Sequence, residues 1–163
     1  MKTERGNFRM LRKEQRMPQT EDSYRMAGKL PDPARCPKCE ATYRKGRWTW
    51  GKAPEDAAHH TCPACQRIAD GFPAGYVKLG GSFLQQHRPE VLNLVMAREA
   101  RAKSDHPLQR IMAVEPVPEG VLVTTTDSHL ARCIAHALHE AFKGELKMSF
   151  RKSENLLRAT WNR

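Results

Sequence analysis

The sequence predicts an α+β protein in which a small cysteine-rich module precedes a domain of α-β-β-α-β order. Two C-P-x-C pairs, Cys36–Cys39 and Cys62–Cys65, mark the module. After residue 88, the spacing of apolar residues is helical, then alternating, then helical and alternating again. Before residue 35, arginines are abundant and apolar periodicity is weak, which predicts a flexible basic arm.

The chain as a whole has 163 residues and a formal net charge of +10. This length suits one medium domain or two small ones. The charge favours a polyanionic partner such as RNA or DNA, and a merely soluble basic protein is the alternative. No apolar run approaches ~18 residues, and the N-terminus has no apolar signal-peptide segment. We therefore expect a cytoplasmic protein without a membrane partner.

The basic arm covers residues 1–34. We expect it to be flexible in isolation and to become ordered along RNA, as basic disordered segments do. A plain disordered tail is the alternative. The cations predicted to contact nucleic acid are Arg5, Arg9, Arg12, Lys13 and Arg16.

The cysteine module covers residues 35–68 and predicts one metal site. Each C-x-x-C pair can turn two sulfurs toward a single point, and a hairpin between the pairs would bring all four thiolates around one ion. We predict a structural Zn²⁺ held by Cys36, Cys39, Cys62 and Cys65. A closed four-thiolate site leaves no open position for a substrate, so function is expected on the surfaces around it.

Three other interpretations of these cysteines stay open. One is iron in a rubredoxin-like site. Another is thiol redox chemistry, which needs a C-x-x-C at the start of a helix in a βαβ setting that the sequence does not predict here. The third recruits His59 or His60 as a ligand. The fifth cysteine, Cys133, borders an apolar stripe and is predicted to be a buried thiol.

The segment between the pairs combines cations with aromatic residues. Basic side chains can neutralise phosphates, and aromatic rings can stack on unpaired bases. On a strand, the two tryptophans would share one face, where they could instead pack against the protein. The predicted nucleic-acid-binding residues of this segment are Arg44, Lys45, Arg47, Trp48, Trp50 and Lys52.

The second half of the chain is divided by its apolar pattern. Residues 69–87, with four glycines, are predicted to be a connector. Residues 88–151 form the α+β domain, with a helix from Arg88, a hairpin, a helix capped by Asp127 or Ser128 and a strand at 145–151. One or two helices would cover a three-stranded sheet. Residues 152–163 are predicted to be a C-terminal tail.

The helix after Asp127 has a polar face as well as an apolar one. At about 100° per residue, the polar residues of this helix fall opposite the apolar stripe: His129, Arg132, His136, His139 and Lys143. We predict that Arg132 and His136 contact RNA, with an ordinary solvated face as the alternative. No nucleophile–base pair, paired carboxylates or P-loop pattern is present, so we expect neither an enzyme nor a small-molecule substrate.

The chain resembles a family of short bacterial proteins between about Glu21 and Phe150. The resemblance rests on the cysteine pairs and on the segments "GRWTW", "KLGGSFLQQHRPEVLNLV" and "VTTTDSHLARCIAHALHEAFKGEL". More distantly, the cysteine pairs are similar to the zinc ribbon of the archaeal and eukaryotic large-ribosomal-subunit export adapter linked by name to nonsense-mediated decay. That family has further cysteine pairs and, in eukaryotes, transport signals, neither of which is found here.

The function that these observations predict is a non-enzymatic zinc-ribbon protein that binds ribosomal RNA. The distant resemblance implies association with the ribosome, in subunit maturation, quality control or protection of idle ribosomes. A DNA-binding or transcription-associated zinc ribbon is the alternative.

Overall fold

The computed structural model describes Tyr24 and residues 29–163. The cations predicted in the arm, from Arg5 to Arg16, lie outside the described residues. The described residues form two sheets and four helices, so the fold is mixed α+β as predicted. Among them, no helix is long and apolar enough to cross a membrane.

The first sheet has four short strands in the order β3-β2-β1-β4. These are β1 (Ala34–Arg35), β2 (Thr42–Arg44), β3 (Arg47–Thr49) and β4 (Ala58–His59). β4 runs parallel to β1, and the other pairs are antiparallel. Lys45 and Gly46 turn the chain between β2 and β3, both with positive φ (51° and 81°), as a tight two-residue hairpin requires.

A helix, α1 (Pro63–Asp70), begins at the second cysteine pair. Cys62 caps its N-terminus, Pro63 occupies its first turn, and Gly71 ends it in the left-handed conformation (φ 62°). These are ordinary start and stop signals. The second cysteine pair thus opens a helix, but the strands before and after it, Ala58–His59 and Gly75–Gly80, lie in different sheets and do not form a βαβ unit around it.

The second sheet has five strands in the order β6-β7-β5-β9-β8. β5 and β9 are parallel neighbours at its centre, and the other pairs are antiparallel. The strands are β5 (Gly75–Gly80), β6 (Ile111–Val117), β7 (Gly120–Thr125), β8 (Glu145–Arg151) and β9 (Leu156–Asn162). The helices are α2 (Ser82–Gln86), α3 (Arg88–Asp105) and α4 (Ser128–Phe142), and a 3-10 turn spans Lys152–Glu154.

Two strands lie where the sequence analysis places a connector and a tail. The order of elements within residues 88–151 is as predicted, but β5 and β9 extend the sheet from three strands to five. β5 buries Val77 and Leu79 completely, and β9 buries Leu157 and Trp161 completely. Both strands largely alternate buried residues with more exposed ones. They become central strands only by pairing with distant parts of the chain, which their own sequences do not indicate.

The main core lies between this sheet and its helices. α4 packs across the central strands, and α3 packs against α4. Asp127 accepts hydrogen bonds from the backbone N–H groups of His129 and Leu130, the capping arrangement predicted for this helix. Cys133 is exposed on α4, so its predicted burial is wrong. The side chain lies at the edge of the apolar stripe, on the side that is exposed to solvent.

Candidate metal centre and basic hairpin

The four paired cysteines converge on one point. Their sulfur atoms all lie within 4.8 Å of one another, and Cys39 Sγ is 3.7 Å from Cys62 Sγ. Ligands about 2.3 Å from a tetrahedral ion lie about 3.8 Å apart, so the cluster fits a bound zinc-type ion. Cys36 and Cys62 are completely buried, and Cys65 nearly so. These residues form a candidate metal site, and their thiolates are soft ligands typical of zinc or iron.

Local backbone geometry places each sulfur. After β1, the first pair turns back on itself: Glu40 N–H donates to Cys36 O, and Cys36 N–H donates to Ala41 O, both at 2.9 Å. Glu40 has a positive φ of 68°. In the second pair, the N-terminus of α1 sets the spacing, because Cys65 N–H donates to Cys62 Sγ at 3.4 Å.

Backbone N–H groups also tune the thiols. Burial raises the pKa of Cys36, but hydrogen bonds from the N–H groups of Cys62, Cys39 and Lys38 outweigh it and lower the pKa to about 7. Burial raises the pKa of Cys39 and of Cys62. Only the thiolate is a good metal ligand, so these backbone donors favour loss of the Cys36 proton when an ion binds.

Arg110, which immediately precedes β6, covers the sulfur cluster. Its Nη2 lies 3.1 Å from Cys62 Sγ, 3.4 Å from Cys65 Sγ and 3.7 Å from Cys39 Sγ. The residue is only 8% exposed. Burial alone would lower the pKa of Arg110, but the hydrogen bond to Cys65 and the neighbouring sulfurs raise it. The guanidinium is therefore a cation held against the sulfurs of the cluster.

This cation suits the charge of the site. Four thiolates outweigh the charge of a divalent ion, so the occupied site keeps a net negative charge in a buried place. Charge-assisted hydrogen bonds to sulfur reduce that cost. Thr126 fixes the backbone of Arg110: Arg110 N–H donates to Thr126 Oγ1, and Thr126 N–H donates to Arg110 O, each at 2.9 Å. The role of Arg110 could not be predicted from the sequence, because nothing near it in the chain signals a contact with the ligands.

The cations predicted on the hairpin are placed on its outside. Arg44, Lys45, Arg47 and Lys52 are all exposed. Within the described residues, no ion pair involves any of the four. Arg44 and Arg47 are register partners across the turn. Like charges directly opposite each other destabilise a strand pair, so this arrangement is better tolerated with an anion nearby.

The two tryptophans of this segment have different environments. Trp48 is half-buried and packs against the cysteine cluster, with its ring centroid 5.4 Å from that of Tyr43. Trp50 lies beyond the end of β3, is 40% exposed and donates its Nε1–H to Lys103 O at 2.6 Å. Packing therefore accounts for Trp48 but leaves much of Trp50 uncovered.

The predicted contacts on α4 are less accessible. Arg132 is 9% exposed, and its Nη1 lies 3.1 Å from His129 Nδ1. Burial lowers the pKa of Arg132, against the opposing effect of Asp127. His136 is half-buried. RNA contact by Arg132 and His136 stays a prediction, and Arg132 offers little surface for it.

No protein-family model, curated protein or solved structure matches the chain. Its resemblance to the bacterial family and to the export adapter stays a prediction.

Proposed function

We propose that this is a zinc-binding, non-enzymatic protein that binds structured RNA, with ribosomal RNA as its target. The observation that carries the proposal is a largely buried four-cysteine cluster beside an exposed hairpin whose cations form no ion pair with another described residue. The metal would be structural, because four thiolates fill a tetrahedral shell. The hairpin would then be the functional surface that the metal holds in shape.

The charge of the hairpin supports a phosphate backbone as its ligand. Arg44, Lys45 and Arg47 surround one tight turn, and Lys52 follows shortly after it in the chain. Exposed cations can replace the counterions of a polyanion, and the released ions drive binding. The net charge of +10 adds a long-range attraction.

The choice of ribosomal RNA rests on the resemblance to the large-subunit export adapter. The test is sedimentation of cell lysate through sucrose gradients at low and high salt. We expect the protein in ribosomal fractions at low salt and its release at high salt. Absence from every ribosomal fraction at low salt would refute ribosome association.

A charge-matched pair of variants tests the hairpin itself. Arg44→Gln/Arg47→Gln removes two hairpin cations, and Lys147→Gln/Arg151→Gln removes two cations that form ion pairs on β8. For the hairpin variant, we expect the slope of log affinity for RNA against log salt to fall by about 0.7–0.9 per lost phosphate contact. Equal losses in both variants would show that only net charge matters.

Competition between ribosomal RNA and duplex DNA separates the proposal from a DNA-binding role. Metal analysis separates zinc from iron, since an iron–thiolate site absorbs visible light and a zinc site does not. A preference for duplex DNA, or a coloured iron site, would overturn the corresponding part of the proposal.

A further inference from the structure

A cleft of about 450 Å³ opens on the cysteine module beside Trp50. Its walls include Arg35, Lys52, Pro54, Glu55 and His59. The volume is within the range of small-molecule sites, about 300–1,000 Å³. The cleft begins where β3 ends, so it adjoins the hairpin whose cations are proposed to hold the RNA backbone.

The position of Trp50 is fixed before any ligand arrives. Its Nε1–H donates to Lys103 O in α3, which satisfies the polar atom of the ring. On either side, Thr42 Oγ1 donates to Gly51 O at 2.6 Å, and Gly51 N–H donates to Thr49 Oγ1 at 3.3 Å. A ring already held in place loses little conformational entropy when a ligand binds.

The exposed part of the Trp50 side chain does not contribute to packing. Trp48, two residues earlier, packs against the cysteine cluster, whereas Trp50 lines the cleft with 40% of its surface exposed. An indole with its N–H satisfied presents an apolar π-surface. Every nucleobase has a π-face that can stack on such a surface, whatever its sequence.

The rest of the wall suits the polar parts of a nucleotide. Lys52 supplies a cation for a phosphate, and His59 supplies a ring nitrogen. Arg35 forms an ion pair with Glu40. Glu55, also in the wall, can accept a hydrogen bond from an exocyclic amine of a base. An apolar ligand would leave these charged groups poorly solvated.

We propose that this cleft binds one unpaired nucleobase of the RNA, stacked on the face of Trp50. The inference rests on the proposed RNA-binding function and adds a preference for single-stranded segments to it. A base within a duplex is stacked on its neighbours and cannot enter the cleft, whereas bases in loops and bulges can.

Two substitutions separate the ring face from its hydrogen bond. Trp50→Leu removes the stacking surface and the N–H donor, and Trp50→Phe removes the donor but keeps an aromatic face. Affinities for a labelled single-stranded RNA and for a duplex RNA of equal length are measured at one salt concentration by fluorescence anisotropy. Metal content and thermal unfolding of each variant check the fold.

For Trp50→Leu, we expect affinity for the single strand to fall about 5- to 150-fold, the effect of losing one stacked base. Duplex affinity should stay within about twofold, because the hairpin cations are intact. Trp50→Phe should keep most of the single-strand affinity. Single-stranded RNA should also quench the indole emission of the wild-type protein more than that of Trp50→Phe, a readout that does not depend on the leucine variant folding.

The inference is overturned if Trp50→Leu binds the single strand as tightly as the wild type while both bind duplex RNA. That result leaves the proposed function intact. The stacking role is also overturned if Trp50→Phe loses as much affinity as Trp50→Leu, since the hydrogen bond to Lys103 would then be responsible. A wild-type protein that binds neither RNA refutes the proposed function and, with it, this inference.

Discussion

Replacing Arg110 should weaken metal binding although the residue is not a ligand. Its Nη2 contacts the sulfurs of Cys62, Cys65 and Cys39 at 3.1–3.7 Å. Arg110→Met removes the positive charge and the N–H donors and keeps an unbranched apolar side chain. The metal-bound thiolates would then keep their backbone donors but lose the guanidinium of Arg110, so that more of their negative charge would be buried without compensation.

The size of this effect follows from the role of Arg110 as a hydrogen-bond donor to ligand atoms. Loss of such an outer contact typically lowers metal affinity about 10- to 100-fold. This corresponds to about 1.4–2.8 kcal/mol, which agrees with about 1.5–3 kcal/mol for hydrogen bonds to charged groups. Arg110→Lys should fall between wild type and Arg110→Met, because an ammonium keeps the charge but lacks the planar fork of donors.

The assay is competition for Zn²⁺ between the reduced protein and a chromophoric chelator. Arg132→Met is the matched control, since Arg132 is also a buried arginine but contacts His129 rather than the cysteines. We expect the control to lower stability without changing metal affinity. If Arg110→Met binds zinc as tightly as the wild type, the guanidinium does not support the metal site, and the reasoning fails.

Three further changes test the fold and the site. Cys62→Ser should abolish tight metal binding and the added thermal stability that metal gives the wild type, because one thiolate of four is lost; unchanged metal stoichiometry would contradict this. Gly120→Ala should destabilise the protein by at least about 1–3 kcal/mol, because φ is +154° and the new Cβ would lie 1.9 Å from Leu79 O; urea unfolding measures the loss. Trp161→Ala should lower the free energy of unfolding by about 3–5 kcal/mol, because the side chain is fully buried. Met96→Ala, at a position 49% exposed, should change it by less than about 0.5 kcal/mol. A small effect at Trp161 in the same unfolding assay would show that β9 is a dispensable tail.

The elements predicted best are those with a strong local signal. α4 repeats apolar residues at helical spacing after an Asp cap, and its predicted start agrees with the structure. The cysteine pairs carry their own spacing, so the convergence of four sulfurs could be predicted without knowing the fold. In both cases the residues that decide the structure are close together in the chain.

The elements predicted worst depend on distant partners. β5 pairs with β9 so that Val77 lies opposite Ala159. β5 also begins and ends with glycine, which made its sequence similar to that of a linker. Neither strand shows from its own residues that it will lie at the centre of a sheet, because parallel pairing needs a long crossover rather than a local turn.

The same distinction applies to the site. The sequence by itself determined the four candidate ligands and the basic hairpin, because the spacing of the ligands and the charge of the hairpin depend on residues that are close together in the chain. Only the tertiary structure decided that Trp48 packs inward while Trp50 lines a cleft. It also decided that Arg110 covers the sulfurs, 48 residues from Cys62 in the chain. Such contacts depend on how residues far apart in the chain pack together, and that packing depends on the combined shape of many side chains.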